Sequence, residues 1–336
     1  MTHISLRQPL PADVLLAKDR LKGFVRRTQV LESERLNAKV GGRVLIKPEC
    51  LQLTGSFKIR GAFNRLLLLS AKERERGIVA WSAGNHAQAL AYAGAKLGVR
   101  ATIVMPADAP RAKIEGTRRY GAEVVFYDRQ TQNRELIGRA VAANSGAVIV
   151  PPYEDADVIA GQGTAGLELL EDAAAQKASP DQVVVCVGGG GLIAGCALAA
   201  RARGEATEIF AAEPVGYDDT LRSLRAGKRV QNDISAPCIA DALMTTTPGE
   251  LTFSLNRELL KGGFTVSDAD IAAAMSFAFF ELRMVVEPGG AAALAAVLSQ
   301  PDAFAGRTTG VLLTGGNVDF ERFCAALSPT VEVTDR

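Results

Sequence analysis

The stretch QVVVCVGGGGLIAGCALAARARG, residues 182–204, runs from a β-rich apolar segment through four consecutive glycines into a helical pattern. A strand that ends in glycines and opens a helix is one βα unit. The same grammar recurs on both sides. Upstream, GIVAWSAG leads into NHAQALAYAGAKLG, RATIVMP into APRAKIEGTRRYG, and AEVVFYD into QNRELIGRAVAANSG, followed by AVIVPP. A helix is expected from about Val158 to Gln176. Downstream come EIFAAEP, then SDADIAAAMSFAFFELRM with Ser267 placed to cap its helix, and finally TGVLLTGGNVD. Such alternation predicts an α/β fold, with parallel sheets covered by helices.

Three glycine-containing stretches fall at strand ends: SAGNHA after Trp81, VGGGGLIAG after Cys186 and LTGGNVD after Leu313. Open α/β sheets bind ligands outside the carboxyl ends of their strands. The first stretch lies in one strand–helix block and the other two in a second. The expectation is two doubly wound domains, residues 76–152 forming the smaller and residues 1–75 with 153–336 the larger, and a ligand cleft between them.

Composition narrows the field. Lys and Arg number 38 against 37 Asp and Glu, a net charge of +1, so there is no electrostatic case for nucleic acid or an anionic membrane. The five cysteines, at 50, 186, 196, 238 and 324, form no CxxC pair, which points to a reducing compartment. With only His3 and His86 beside them, a zinc site is not expected. The densest apolar stretch is broken by Glu281 and Arg283 and is too short to span a bilayer. Asp13, Lys18, Asp19 and Arg20 stand where a signal peptide needs an apolar core. The expected location is cytoplasmic.

Gly188, Gly189, Gly190 and Gly191, between a strand and a helix, make an anion cradle of close-lying backbone N–H groups. One reading is dinucleotide binding: Gly189, Gly191 and Ala194 fit G-x-G-x-x-A, and Glu213 follows where a ribose-binding acid sits, which would make the protein a nicotinamide-dependent oxidoreductase. That reading leaves LTGSFKIRGAFNRL, residues 53–66, unexplained. Lys58 stands at the start of a helix whose apolar face is Ile59, Ala62, Phe63, Leu66 and Leu67. The positive end of the helix dipole disfavours an ammonium there, which suits an amine that has to be neutral and nucleophilic. A phosphate cradle plus a neutralised lysine is what pyridoxal 5'-phosphate needs. Thr314 then offers a hydroxyl to the ring nitrogen, and SAGNHA offers N–H groups, Asn85 and His86 to a substrate carboxylate.

In this order, SFKIRGA, SAGNHAQAL, VIAGQGT, VGGGGLIAG and TGGNVD resemble the pyridoxal-phosphate enzymes of the tryptophan-synthase-β fold (fold type II), nearest the serine/threonine dehydratases and serine racemases, over residues 10 to 325 or so. The resemblance implies that Lys58 is the Schiff-base lysine, that Phe57 packs by the ring, and that Asn85 bonds the ring hydroxyl. It implies that the four glycines hold the phosphate, that Thr314 faces the pyridine nitrogen, and that Glu287 of VEPGG lies nearby. The loop Ser82, Ala83, Gly84, Asn85 and His86 would receive the substrate carboxylate. In metal-dependent relatives the positions of Glu213, the Tyr217 carbonyl and Asp219 bind Mg²⁺, Mn²⁺ or Ca²⁺; the plainer reading is a loop acid and a helix cap. Relatives are often homodimers.

The expected activity is a dehydratase, converting L-threonine or L-serine to a 2-oxo acid and ammonia. A hydroxyl at Thr314 does not stabilise a protonated pyridinium, which suits β-elimination. Racemases of the family carry a serine at the position of Ala83, and alanine moves no proton, so racemisation is disfavoured. Arg134 aligns with an arginine near the active-site mouth of some relatives, where it would take a second carboxylate and make the protein a 3-hydroxyaspartate ammonia-lyase. PPYED around Tyr153 resembles threonine dehydratases instead, and threonine or serine ranks first.

Overall fold

The computed structural model describes residues 7–327, apart from positions 110 and 234. Its strands are β1 (Leu31–Glu32), β2 (Arg43–Pro48), β3 (Ile78–Trp81), β4 (Ala101–Pro106), β5 (Glu123–Tyr127), β6 (Val148–Ile149), β7 (Gln182–Cys186), β8 (Glu208–Pro214), β9 (Gly262–Val266) and β10 (Thr308–Leu313). They form a six-stranded sheet in the order β1-β2-β10-β7-β8-β9 and a four-stranded sheet in the order β5-β4-β3-β6. Every pairing is parallel except β1 with β2 at one edge.

Both faces of each sheet are buried, as parallel sheets require. In the larger one, Ile46, Val184 and Val311 pack against the helices Asp268–Leu282 and Pro288–Ser299, while Leu45, Val183, Val185 and Leu312 pack against Ala156–Ala175 and Gly191–Arg203. In the smaller one, Ile78, Ala80, Ile103 and Met105 face the helices Lys58–Leu67 and Asn85–Leu97, and Val79, Trp81 and Val104 face Arg134–Ser145. The helix expected near 158–176 spans Ala156–Ala175, started by the Asp155 carboxylate, which accepts from the N–H groups of Asp157 and Val158. Ser267 caps its helix in a reciprocal bond pair with Asp270. No helix among the described residues is long and apolar enough to cross a membrane.

The strand order fixes where a ligand can sit. After β7 the chain builds outward through β8 and β9, and β10 then returns on the other side of β7. In the smaller sheet it builds outward from β3 through β4 and β5, and β6 returns on the other side of β3. Each reversal opens a crevice at strand carboxyl ends. The glycine loop follows β7, Thr314 follows β10 and SAGNHA follows β3, so the three stretches share these crevices. We propose residues 76–152 against the rest as the domain boundary. The helix Lys58–Leu67 nevertheless gives Ile59, Ala62, Phe63 and Leu66 to the core of the four-stranded sheet.

Candidate active site

Lys58 is the first residue of its helix, following Phe57, which has helical backbone angles and no side-chain cap. Ser56 bridges to Gly315, and the Phe57 N–H donates to the Thr314 carbonyl at 3.0 Å, so the lysine is tied to the end of β10. The Lys58 amine donates to the Pro152 carbonyl at 2.9 Å and lies 5.1 Å from the centre of the Phe57 ring. Burial lowers its pKa to about 8.

The glycine loop has no room for side chains. A Cβ on Gly189 would lie 2.2 Å from the Tyr153 ring, and one on Gly190 would lie 2.7 Å from Asn256 Nδ2 with the backbone at φ +86°. From behind, Thr252 Oγ1 donates to the Gly189 carbonyl at 2.7 Å and Asn256 Nδ2 to the Gly190 carbonyl at 3.4 Å. The helix Gly191–Arg203 starts immediately, so its positive end faces the loop.

Opposite lies the loop after β3. Asn85 Nδ2 donates to Glu287 Oε1 at 2.5 Å, and Asn317 Nδ2 donates to Asn85 Oδ1 at 2.8 Å. Burial raises the Glu287 carboxyl to about 7, against the pull of the Asn85 bond. His86 is buried, with Nε2 donating to the Val150 carbonyl at 3.0 Å; burial, then Lys58, pushes it down to about 3, so the ring is neutral. Its Nδ1 is a buried acceptor without a partner.

Phe57, Lys58, Ser82, Ala83, Gly84, Asn85, His86, Arg134, Gly188 to Gly191, Glu287 and Thr314 all line one cavity of about 480 Å³. That is ordinary for a small-molecule site. The glycine cradle, the lowered amine and the buried hydroxyl together fit pyridoxal phosphate. Sequence reasoning did not single out Lys113, Asp241, Arg129, Cys186 or Asn317, which line the same cavity. Cys186 borders VGGGGLIAG and Asn317 lies within TGGNVD, which was a usable signal. Lys113 and Asp241 meet only through the fold, at 2.9 Å.

Glu213, Tyr217 and Asp219 lie outside this cavity's lining. Both Glu213 oxygens accept backbone N–H groups, from Thr220 at 3.1 Å and Leu221 at 2.8 Å, at the start of the helix Asp219–Ala226. This overturns the dinucleotide reading: a fully buried acid bound to a helix terminus presents nothing to a ribose. The geometry is that of the helix cap. Among the described residues, no group of three or more His, Cys, Asp and Glu gathers to hold a metal.

Residues 21–315 match the family described as pyridoxal-phosphate dependent enzyme. The L-threo-3-hydroxyaspartate ammonia-lyase of Pseudomonas sp is 46% identical, covering 94% of this chain and 97% of its own. That of Saccharomyces cerevisiae is 42% identical, covering 95% and 97%. The serine racemase of Schizosaccharomyces pombe is 39% identical, covering 95% and 98%. Among solved structures, the threonine deaminase of T.th. superposes with a TM-score of 0.87 at 43% identity, covering 93% of this chain and 99% of that one. Identity at this level over nearly full lengths means that the whole fold around the cavity is shared, and not a local motif alone. The chain therefore belongs to the pyridoxal-phosphate dependent enzymes, in the tryptophan-synthase-β fold.

Proposed function

We propose that the protein is a 3-hydroxyaspartate ammonia-lyase, releasing oxaloacetate and ammonia. One observation carries this reading. Besides Lys58, the cavity is lined by Lys113, Arg129 and Arg134. Lys113 is paired with Asp241 at 2.9 Å and Arg129 with Asp108 at 2.8 Å, whereas Arg134 has no carboxylate partner among the described residues. A guanidinium at the mouth of an amino-acid site is matched by a substrate with a second carboxylate. The names of the two ammonia-lyase relatives favour the same substrate. Threonine and serine, ranked first on sequence, give way to it.

Bound pyridoxal phosphate supplies an electron-withdrawing ring conjugated to the substrate Cα. The residues do the rest. The glycines take the phosphate, the Thr314 hydroxyl faces the ring nitrogen, the loop Ser82–His86 takes the α-carboxylate, and Arg134 takes the distal one. Lys58 Nζ, its pKa lowered by burial to about 8, takes the Cα proton. The β-hydroxyl leaves as water with the proton that Lys58 took from Cα, and the enamine product tautomerises to an imine that water hydrolyses to the 2-oxo acid and ammonia. Racemisation needs a second proton carrier on the opposite face, and Ala83 offers none.

The test compares 2-oxo acid release from both diastereomers of 3-hydroxyaspartate, L-threonine and L-serine. Arg134→Ala is expected to lower kcat/KM for hydroxyaspartate about 100-fold, the value of a charge-assisted bidentate contact, and to change that for threonine less than about threefold. Equal losses on both substrates, or faster turnover of threonine by the unaltered protein, would reject the reading.

A divalent cation at Glu213, the Tyr217 carbonyl and Asp219 is a separate part of the proposal. Burial, then the nearby Asp219 charge, raises Glu213 to about 8, and burial raises Asp219 to about 6. A carboxyl whose folded pKa lies above its unfolded one stabilises the fold at low pH. That contribution is lost as pH rises through the folded value. Without divalent cations, Tm is therefore expected to fall as pH rises from about 4 to about 8 and to level off above that. Hard oxygen donors favour Mg²⁺ or Ca²⁺, and cations compete with protons for them. Millimolar Mg²⁺ or Ca²⁺ should raise Tm by roughly 2–4 °C at pH 8.5 and by less at pH 6. A Tm indifferent to both cations at pH 8.5 removes the site.

A further inference from the structure

Thr314, which the proposed function sets at the cofactor's ring nitrogen, is held rigidly. Its carbonyl accepts from Phe57 N–H at 3.0 Å, and its own N–H donates to the Gly290 carbonyl at 3.3 Å. Its hydroxyl meets Cys186 Sγ at 3.2 Å. Cys186 closes β7 and Thr314 follows β10, neighbouring parallel strands at the reversal of the larger sheet. Both side chains line the cavity, and the two residues are 5% and 3% exposed.

A hydroxyl has one proton to give. If Thr314 gives it to sulfur, Oγ1 is left as an acceptor for a protonated ring nitrogen. If Cys186 donates S–H to Oγ1, the hydroxyl proton is free for a nitrogen that carries a lone pair. Sulfur is the weaker acceptor of the two. Burial also pushes the Cys186 thiol up to about 11, so it keeps its proton at any working pH. Either atom is placed to donate, and the second arrangement is the one in which each proton goes to a stronger acceptor, from sulfur to oxygen and from oxygen to nitrogen.

We propose that Cys186 is a positioning residue: its S–H, donated to Thr314 Oγ1, aims the Thr314 hydroxyl proton at the ring nitrogen and keeps that nitrogen unprotonated. The inference rests on the proposed function through the place of Thr314. Its consequence is a choice of reaction. An unprotonated ring withdraws electrons less strongly, so negative charge does not linger at Cα. Departure of the β-hydroxyl is then favoured over return of a proton.

The experiment reconstitutes the apoprotein with pyridoxal phosphate labelled with ¹⁵N in the ring. It records the ¹⁵N shift across pH together with cofactor affinity. The unaltered protein is expected to show an unprotonated, hydrogen-bonded nitrogen near neutral pH, and Cys186→Ser, which keeps a donor, to resemble it. Cys186→Ala should bind the cofactor about fivefold more weakly, the value of one neutral hydrogen bond. Its nitrogen should protonate at a pH about one unit higher. A protonated nitrogen in the unaltered protein, or Cys186→Ala with unaltered shift and affinity, overturns the proposal. If Cys186→Ala loses its fold, Cys186→Val, which retains bulk without a donor, replaces it with the same two outcomes. Thr314→Ala separates the two readings: unaltered shift and affinity there mean that Thr314 does not face the ring, and the failure lies with the proposed function.

Discussion

Lys58→Ala is expected to cut 2-oxo acid release by about 10⁴-fold or more, because it removes the group that the proposed function makes both the nucleophile and the base at Cα. The lysine is set up for this at the expense of stability. Its pKa is lowered to about 8 by burial, and a base depressed in the fold destabilises it wherever the ammonium form prevails. That cost is full below pH 8 and fades as pH rises toward the ordinary value of 10.5. Apo Lys58→Ala should therefore melt higher than the unaltered apoprotein at pH 7, and the advantage should shrink by pH 10. Lys58→Arg retains a charge but neither function, and is expected to be as inactive as the alanine. Residual activity of a tenth or more in either variant would show that another group does the chemistry. A lower melting point for apo Lys58→Ala at pH 7 would show that the amine is structural.

The elements that line the candidate site were legible because each rests on local rules. A strand, glycines and a helix start occur in consecutive residues at 182–191, and burial of both sheet faces follows from the alternation. Lys58 was legible for the same reason: Gly55, Ser56 and the helix beginning at 58 lie side by side. The feature behind the proposed substrate was not. The partners that commit Lys113 and Arg129 come from elsewhere in the chain, Asp241 being 128 residues from Lys113. Only those ion pairs make Arg134 stand out. Glu213 was misleading for a related reason. Its spacing after the glycines suits a ribose acid, but spacing does not show that both oxygens are already bonded to the next helix.

Arg60, two residues after Lys58, is the clearest case of what sequence conceals, and its replacement has the largest expected effect on stability. Flanked by Ile59 and Gly61, it reads as an ordinary helix arginine, yet it is fully buried. Its guanidinium donates to both oxygens of Glu49, at 2.7 and 2.8 Å, and to both of Glu168, each at 2.8 Å. Lys47 reaches Glu168 at 2.7 Å, and Thr28 reaches Glu49 at 2.7 Å. Two buried cations and two buried anions thus balance where β2 and the helices Lys58–Leu67 and Ala156–Ala175 meet, with the partly exposed Asp172 also 3.9 Å from Lys47. Burial works against the Arg60 charge, but Glu49 and Glu168 hold its pKa above the ordinary value. Removing one partner from such a set leaves an uncompensated buried charge, a loss of about 3–5 kcal/mol. Arg60→Ala should lower the apoprotein's stability in urea by that amount. Arg60→Lys should recover only part of it, since an ammonium does not match two carboxylates bidentately. Because the network anchors the helix that begins at Lys58, cofactor affinity should fall alongside stability in Arg60→Ala. The double variant Arg60→Met with Glu49→Gln tests the cause: it leaves Lys47 and Glu168 as a balanced pair and should be more stable than Arg60→Ala. If the double variant is no better, the loss comes from the arginine's packing and not from the stranded carboxylate.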